Sequence, residues 1–173
     1  YRSERDAVDE PSRYMRRLSD LAQILDGIDW VLAGGLAIPL TLGGFYRRHY
    51  DVDVAFPVEE FPRVEEAMAR AGYYLSTYFP MSMFGRMRFA ASIPVRWESR
   101  LVRRRPRKLK FRELPAVESE PHLITEVDAL PYRIENGRFV TCDGRYDFPL
   151  ERPLVGHRLQ TSRGHQIACL NLH

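Results

Sequence analysis

Residues 30–56 read WVLAGGLAIPLTLGGFYRRHYDVDVAF: an apolar strand that breaks at Gly34-Gly35, a short apolar helix, and a second apolar strand carrying Asp51 and Asp53. Side chains alternate across a strand, so Asp51 and Asp53 share one face while Val52 and Val54 point to the opposite, packed face. Two carboxylates held side by side repel each other, and a hard divalent cation such as Mg²⁺ between them removes that repulsion. Gly34 and Gly35 lack a β-carbon, which permits unusual backbone dihedrals and lets a ligand approach the main-chain amides closely. Amides exposed at a helix start form a weak anion site. Taken singly, a glycine pair after a strand is most often a turn, and an Asp-x-Asp is most often a surface feature. In this order, with a helix that returns the chain beside the first strand, they read as a phosphate site facing a metal site.

Working outward, apolar residues at Tyr14, Met15, Leu18, Leu21, Ala22 and Leu25 keep a helical period and predict an opening helix over 12–26 that stops near Gly27. Strands are expected at 30–33 and 50–56 with a helix over 36–42 between them, then a helix over 57–71 and a strand over 73–78. Beyond Met81 the pattern shifts to short alternating runs at 87–93, 96–102, 109–114, 123–130 and 138–142, so this half reads as mostly sheet. Asn136-Gly137 suits a tight hairpin. The expected architecture is α+β, a mixed and largely antiparallel sheet with helices mainly on one face, built as a single domain over 1–173 with its core at 28–173.

The chain has 173 residues, 45% of them hydrophobic, which is enough for the core of one ordinary domain. The start, YRSERDAVDEPSR, is charged, and no run of eighteen apolar residues exists, so neither a secretory signal nor a membrane span is expected. Cys142 and Cys169 are the only cysteines and lack metal-ligand spacing, which fits a reducing, cytoplasmic setting without a disulfide framework. The opening at Tyr1 and the end at Asn171-Leu172-His173, just after an apolar patch, suggest residues missing at both ends.

The net charge of +3 is modest, but Arg100, Arg103, Arg104, Arg105, Arg107, Lys108, Lys110 and Arg112 crowd into thirteen positions. Such a run could hold a triphosphate or a nucleic-acid backbone through charge alone. The alternation in KLKFR gives the other reading, a solvated strand with Leu109 and Phe111 inward and Lys108, Lys110 and Arg112 turned to water. Few aromatic residues interleave with the charges, which weakens the case for single-stranded nucleic acid.

Gly34-Gly35, eleven further residues, and then Arg47-x-His49-x-Asp51-Val52-Asp53-Val54 resemble the signature of nucleotidyltransferases of the DNA polymerase β superfamily. The likeness is nearest to the aminoglycoside and lincosamide nucleotidyltransferases and to related nucleotidyltransferase toxins. It covers residues 20–80 well and the remainder loosely. The resemblance implies a third carboxylate on a later strand, and Val127-Asp128-x-x-Pro131 is similar to that strand, which makes Asp128 the first choice and Glu126 the second. It also implies the chemistry: transfer of a nucleoside monophosphate from a nucleoside triphosphate to a hydroxyl of a small molecule, with two Mg²⁺ ions held by Asp51, Asp53 and Asp128. Asp128 would also take the acceptor's proton, and Gly34, Gly35, Arg47 and His49 would serve the triphosphate. Arg47 and His49 are read equally well as a brace for the loop, and Arg48 could stand in for Arg47.

The sequence departs from the family pattern at Leu36 and Pro39, where relatives often carry an aromatic and an acidic residue, and at Leu130, where some carry histidine. Relatives also shape the acceptor pocket with a C-terminal helical segment or a second subunit, so a homodimer is one arrangement the resemblance implies. The alternatives are a toxin-like enzyme acting on tRNA or protein, and a catalytically silent nucleotide-binding module.

Overall fold

The computed structural model describes residues 10–42, 51–83, 87–94, 109–113, 126–142, 144, 146–161 and 163–170. Helix α1 (Glu10–Ile24) precedes strand β1 (Val31–Ala33), helix α2 (Gly34–Leu42) and strand β2 (Asp51–Pro57). A 3-10 turn (Val58–Glu60) leads into α3 (Phe61–Arg70), followed by β3 (Tyr73–Met83), β4 (Met87–Pro94), β5 (Leu109–Glu113) and β6 (Glu126–Glu135). Strands β7 (Arg138–Thr141), β8 (Asp147–Pro149), β9 (Val155–Gln160) and β10 (Gln166–Leu170) complete the described chain. They form one sheet in the order β4-β3-β5-β6-β2-β1-β10-β9, with β7 and β8 branching from β6.

The sheet is mixed and mostly antiparallel: β2 runs parallel to β6 and β1 parallel to β10, and the other described pairs are antiparallel. All three helices pack on one face. Tyr14, Leu18 and Leu21 of α1, Leu36 of α2, and Phe61, Val64 and Met68 of α3 share a core with Leu32, Val52, Val54, Phe56, Phe111 and Val127 from the sheet. The opposite face carries a smaller cluster of Val31, Ala33, Ala55, Leu130, Tyr132, Phe139 and Leu170. Tyr132, Phe139 and Phe148 stack in series there, with centroids 4.7 and 4.9 Å apart. Each strand near the centre therefore has an inside parity, facing the helices, and an outside parity, and this decides which face the acidic residues occupy.

Several boundaries differ from expectation. The helix expected over 57–71 divides at Phe61, because Pro62 at the start of α3 fits a first helical turn, where no N–H partner is required. Asn136 and Gly137 both take positive φ, 50° and 71°, as a tight hairpin turn of the expected kind requires. Strands β8, β9 and β10 were not expected, and β10 is the partner that closes β1 on its far side. The strand expected over 96–102 lies outside the described residues. Among those described, no helix is long and apolar enough to cross a membrane.

Candidate active site

The parallel pairing of β2 with β6 sets Asp51 opposite Glu126 and Asp53 opposite Asp128. On the other side of β6, antiparallel β5 sets Lys110 opposite Asp128 and Arg112 opposite Glu126. Strand β3 continues the rows with Ser76 beside Lys110 and Tyr74 beside Arg112. Two rows thus cross the outer face of the sheet: Asp53, Asp128, Lys110, Ser76, and Asp51, Glu126, Arg112, Tyr74. Neighbouring strands are about 4.8 Å apart, so side chains in one row touch. Val52, Val54, Val127, Leu109 and Phe111 have the opposite parity and are buried among the helices.

Lys110 is at the centre of this cluster. Its ammonium contacts Glu126 Oε2, lies 3.2 Å from Asp128 Oδ1 and lies 3.7 Å from Asp51 Oδ2. Arg112 Nη2 reaches Glu126 Oε1 at 2.5 Å. The reading of Lys110 and Arg112 as turned to water is therefore corrected: Leu109 and Phe111 do face inward, but the other face of β5 is covered by carboxylates, and Lys110 is only 8% exposed. Burial by itself lowers the Lys110 pKa. The hydrogen bond to Glu126 and the fields of Asp128 and Glu126 outweigh that effect and raise it, so the side chain is a cation at neutral pH. Asp128 is fully buried, whereas the Asp51 side chain is 36% exposed.

These buried groups make the fold sensitive to alkali. Burial, reinforced by the negative charges of Asp29 and Glu59, pushes Tyr132 up to about 12, and burial pushes the Cys169 thiol up to about 11. The folded chain keeps both protons to higher pH than the unfolded chain does, so stability falls as pH rises from about 9 towards 12. Lys110 acts with the same sign, since its ion pairs persist below its ordinary pKa and are lost as pH rises through the raised value. Urea-unfolding midpoints are expected to drop steadily across that window, with a shallower drop in Tyr132→Phe. An equal slope in the variant would remove the tyrosine from the account.

Gly34 sits at the junction of β1 and α2 with φ of +66°, directly after Ala33, which pairs with Asp53. A β-carbon built there would lie 2.0 Å from Asp53 Oδ2 and 2.5 Å from its Cγ. The glycine is thus required twice, by a left-handed backbone and by the carboxylate that fills the space of its missing side chain. Gly35 is half-buried in the first turn of α2. The structure accordingly brings Gly34, Asp51, Asp53, Asp128 and Glu126 to one place. Arg47, Arg48 and His49 lie outside the described residues, as do the six basic residues from Arg100 to Lys108. Sequence reasoning missed Lys110 and Arg112 as partners of the carboxylates. The signal was present in the two-residue parity of KLKFR, matched by that of EVD at 126–128.

Residues 17–92 match the aminoglycoside-2''-adenylyltransferase family, a span that includes Gly34, Gly35, Asp51 and Asp53 and stops before Lys110 and Asp128. Among solved structures, the lincosamide antibiotic adenylyltransferase LnuA, lincomycin-bound, superposes with a TM-score of 0.52 at 14% identity, covering 91% of this chain and 78% of that one. The chain has the nucleotidyltransferase fold. It resembles the aminoglycoside and lincosamide nucleotidyltransferase branch, as the sequence signature implied. ANT(2'')-Ia in complex with adenylyl-2''-tobramycin is also similar, with a TM-score of 0.44 at 15% identity over 91% of this chain and 69% of that one. No curated protein sequence matches the chain.

The donor set of this nucleotidyltransferase fold suits a hard cation: carboxylate oxygens from adjacent strands on one face, with no sulfur or imidazole among the described partners. As the side chains stand, the described residues include no group of three or more acidic, histidine or cysteine side chains arranged to hold a metal ion. Among the described residues, the Lys110 ammonium sets a positive charge against Asp51, Glu126 and Asp128.

Proposed function

We propose that this chain transfers a nucleoside monophosphate from a nucleoside triphosphate to a hydroxyl of a small molecule, in a Mg²⁺-dependent reaction. The observation that carries this reading is the β2–β6 register, which aligns Asp53 with Asp128 beside the Gly34 turn. The family match and the names of the similar structures favour ATP as donor and an aminoglycoside- or lincosamide-like acceptor.

In the reaction, the acceptor oxygen attacks the α-phosphorus in line, the bond to the pyrophosphate oxygen breaks, and the hydroxyl proton leaves to a base. Asp128, buried and next in the row to Asp53, is the group we assign to accept that proton at its carboxylate. Asp51, Asp53 and Asp128 would hold Mg²⁺, which supplies positive charge to the phosphoryl oxygens as the bonds change. Gly34 leaves room for the Asp53 carboxylate, and the amides at the start of α2, next to it in sequence, are the groups we assign to the triphosphate. Arg47 and His49 are proposed to touch the phosphate tail.

Thermal stabilisation by ATP and by the other three ribonucleoside triphosphates, with and without Mg²⁺, tests the reading. A ligand that binds only the folded state raises its melting temperature. The expected result is a Mg²⁺-dependent rise with a preferred nucleotide, followed by pyrophosphate release in an acceptor screen. No rise with any nucleotide would sink the proposal. A second reading, a catalytically silent nucleotide-binding module, draws on one observation: the Lys110 ammonium sits among the carboxylates that a metal would need. It predicts stabilisation by nucleotide with no pyrophosphate release from any acceptor. The RNA-directed alternative loses support, because Lys110 and Arg112 of the basic run face carboxylates.

A further inference from the structure

We propose that Lys110 is a resident counter-ion that a divalent cation displaces, so that this one side chain sets how tightly the site takes a metal. The inference rests on the nucleotidyltransferase reading of the site. Its basis is the unequal way the ammonium is held. Lys110 is bonded most closely to Glu126, and it reaches Asp128 Oδ1 at 3.2 Å and Asp51 Oδ2 at 3.7 Å. Asp51 and Asp128 are two of the three carboxylates assigned to the metal, and Glu126 is the one that is not.

A divalent cation on Asp51 and Asp128 would sit next to a buried ammonium, and the two positive charges repel strongly where water is scarce. The ammonium has a place to retreat to in the neighbouring row. Glu126 keeps a hold on it, while Arg112 engages the other Glu126 oxygen at 2.5 Å and keeps that carboxylate in position. With the metal absent, Lys110 neutralises a group of carboxylates that would otherwise repel each other, so the apo site is stable and its affinity for a free cation is low. Metal binding and ammonium displacement are then one exchange. A triphosphate arriving with the cation favours that exchange, because its negative charge offers the displaced ammonium a second partner.

The test uses Mn²⁺ on the full chain without nucleotide, following free Mn²⁺ by electron paramagnetic resonance in the wild type and in Lys110→Met, which keeps the length of the side chain and removes the charge. The variant is expected to bind Mn²⁺ more tightly by on the order of tenfold or more. Equal affinity in the two proteins, lost from both with Asp51→Asn/Asp53→Asn, overturns the Lys110 assignment and leaves the nucleotidyltransferase reading standing. Absence of Mn²⁺ binding in either protein, even with ATP added, removes that reading and the inference with it. Should Lys110→Met fail to fold, the wild type answers alone: in ¹⁵N-lysine spectra the buried ammonium signal is expected to shift or vanish as Mg²⁺ binds. A signal that stays in place while backbone resonances near Asp51 move would refute the exchange.

Discussion

Asp51→Asn/Asp53→Asn is expected to lower nucleotidyl transfer by on the order of 10³-fold or more while the chain stays folded. Both side chains lie on the outer face, away from the helix-packed core, and asparagine keeps their shape, so the packing around Val52, Val54 and Phe56 is untouched. The expected cost in stability is small for a second reason. Lys110 lies 3.7 Å from Asp51 but retains its closer contacts with Glu126 and Asp128. What the variant loses is charge: two neutral amides in place of two carboxylates cannot hold a dication in a triphosphate site. Pyrophosphate release under single-turnover conditions, with circular dichroism as the folding control, separates the two effects. Activity within about tenfold of wild type would show that the metal, if one is used, sits elsewhere.

Gly34→Ala should damage both stability and activity. An alanine at φ of +66° is strained by about 1 kcal/mol or more before any contact is considered. Its methyl group would also stand 2.0 Å from Asp53 Oδ2, so the carboxylate must rotate away or the turn must open. Together these effects are expected to destabilise the fold by about 2 kcal/mol, a melting-temperature drop of roughly 4–8 °C for a chain of this size. Transfer activity should fall further than stability alone explains, because Asp53 no longer lies in line with Asp128. A double-mutant cycle with Asp53→Ala checks the mechanism. Removing the carboxylate relieves most of the steric part, so Gly34→Ala should cost less in that background, and the residual cost is the backbone strain. Additive effects would mean that the alanine acts through the backbone alone.

Much of this site is legible from local sequence because strand parity is a local property. Asp51 and Asp53 fall on the face opposite Val52 and Val54, and Leu109 and Phe111 fall inward, as period-two alternation requires. Parity does not say what lies across the sheet. Whether Lys110 meets water or carboxylates depends on the pairing of β5 with β6, a long-range choice fixed by the hydrophobic register of both strands and invisible in KLKFR alone. The placement of Asp128 needed the same kind of information, which came from the family resemblance and not from spacing. Strands β8 to β10 escaped notice because they are short and set among Gly144, Pro149, Pro153 and Gly164, where turn signals outweigh strand signals. In β10, Ile167 and Cys169 point to the helical core, while Ala168 packs against the cluster on the outer face.

The parallel pairing of β1 with β10, Leu32 against Cys169, also bears on the order in which the protein can be made. Strand β1 (Val31–Ala33), which leads into the Gly34 turn, emerges well before its second neighbour, β10 (Gln166–Leu170). Until residues 166–170 have been translated, β1 has β2 on one side and an open edge on the other, where unpaired amides and carbonyls invite a foreign strand. Closing so long a loop is slow, since its entropy is spent before the pairing returns any energy. The corner that joins Gly34 to Asp53 is thus flanked on both sides only after residues 166–170 have emerged, and a chain interrupted before them would leave the all-apolar β1 with one edge unpaired.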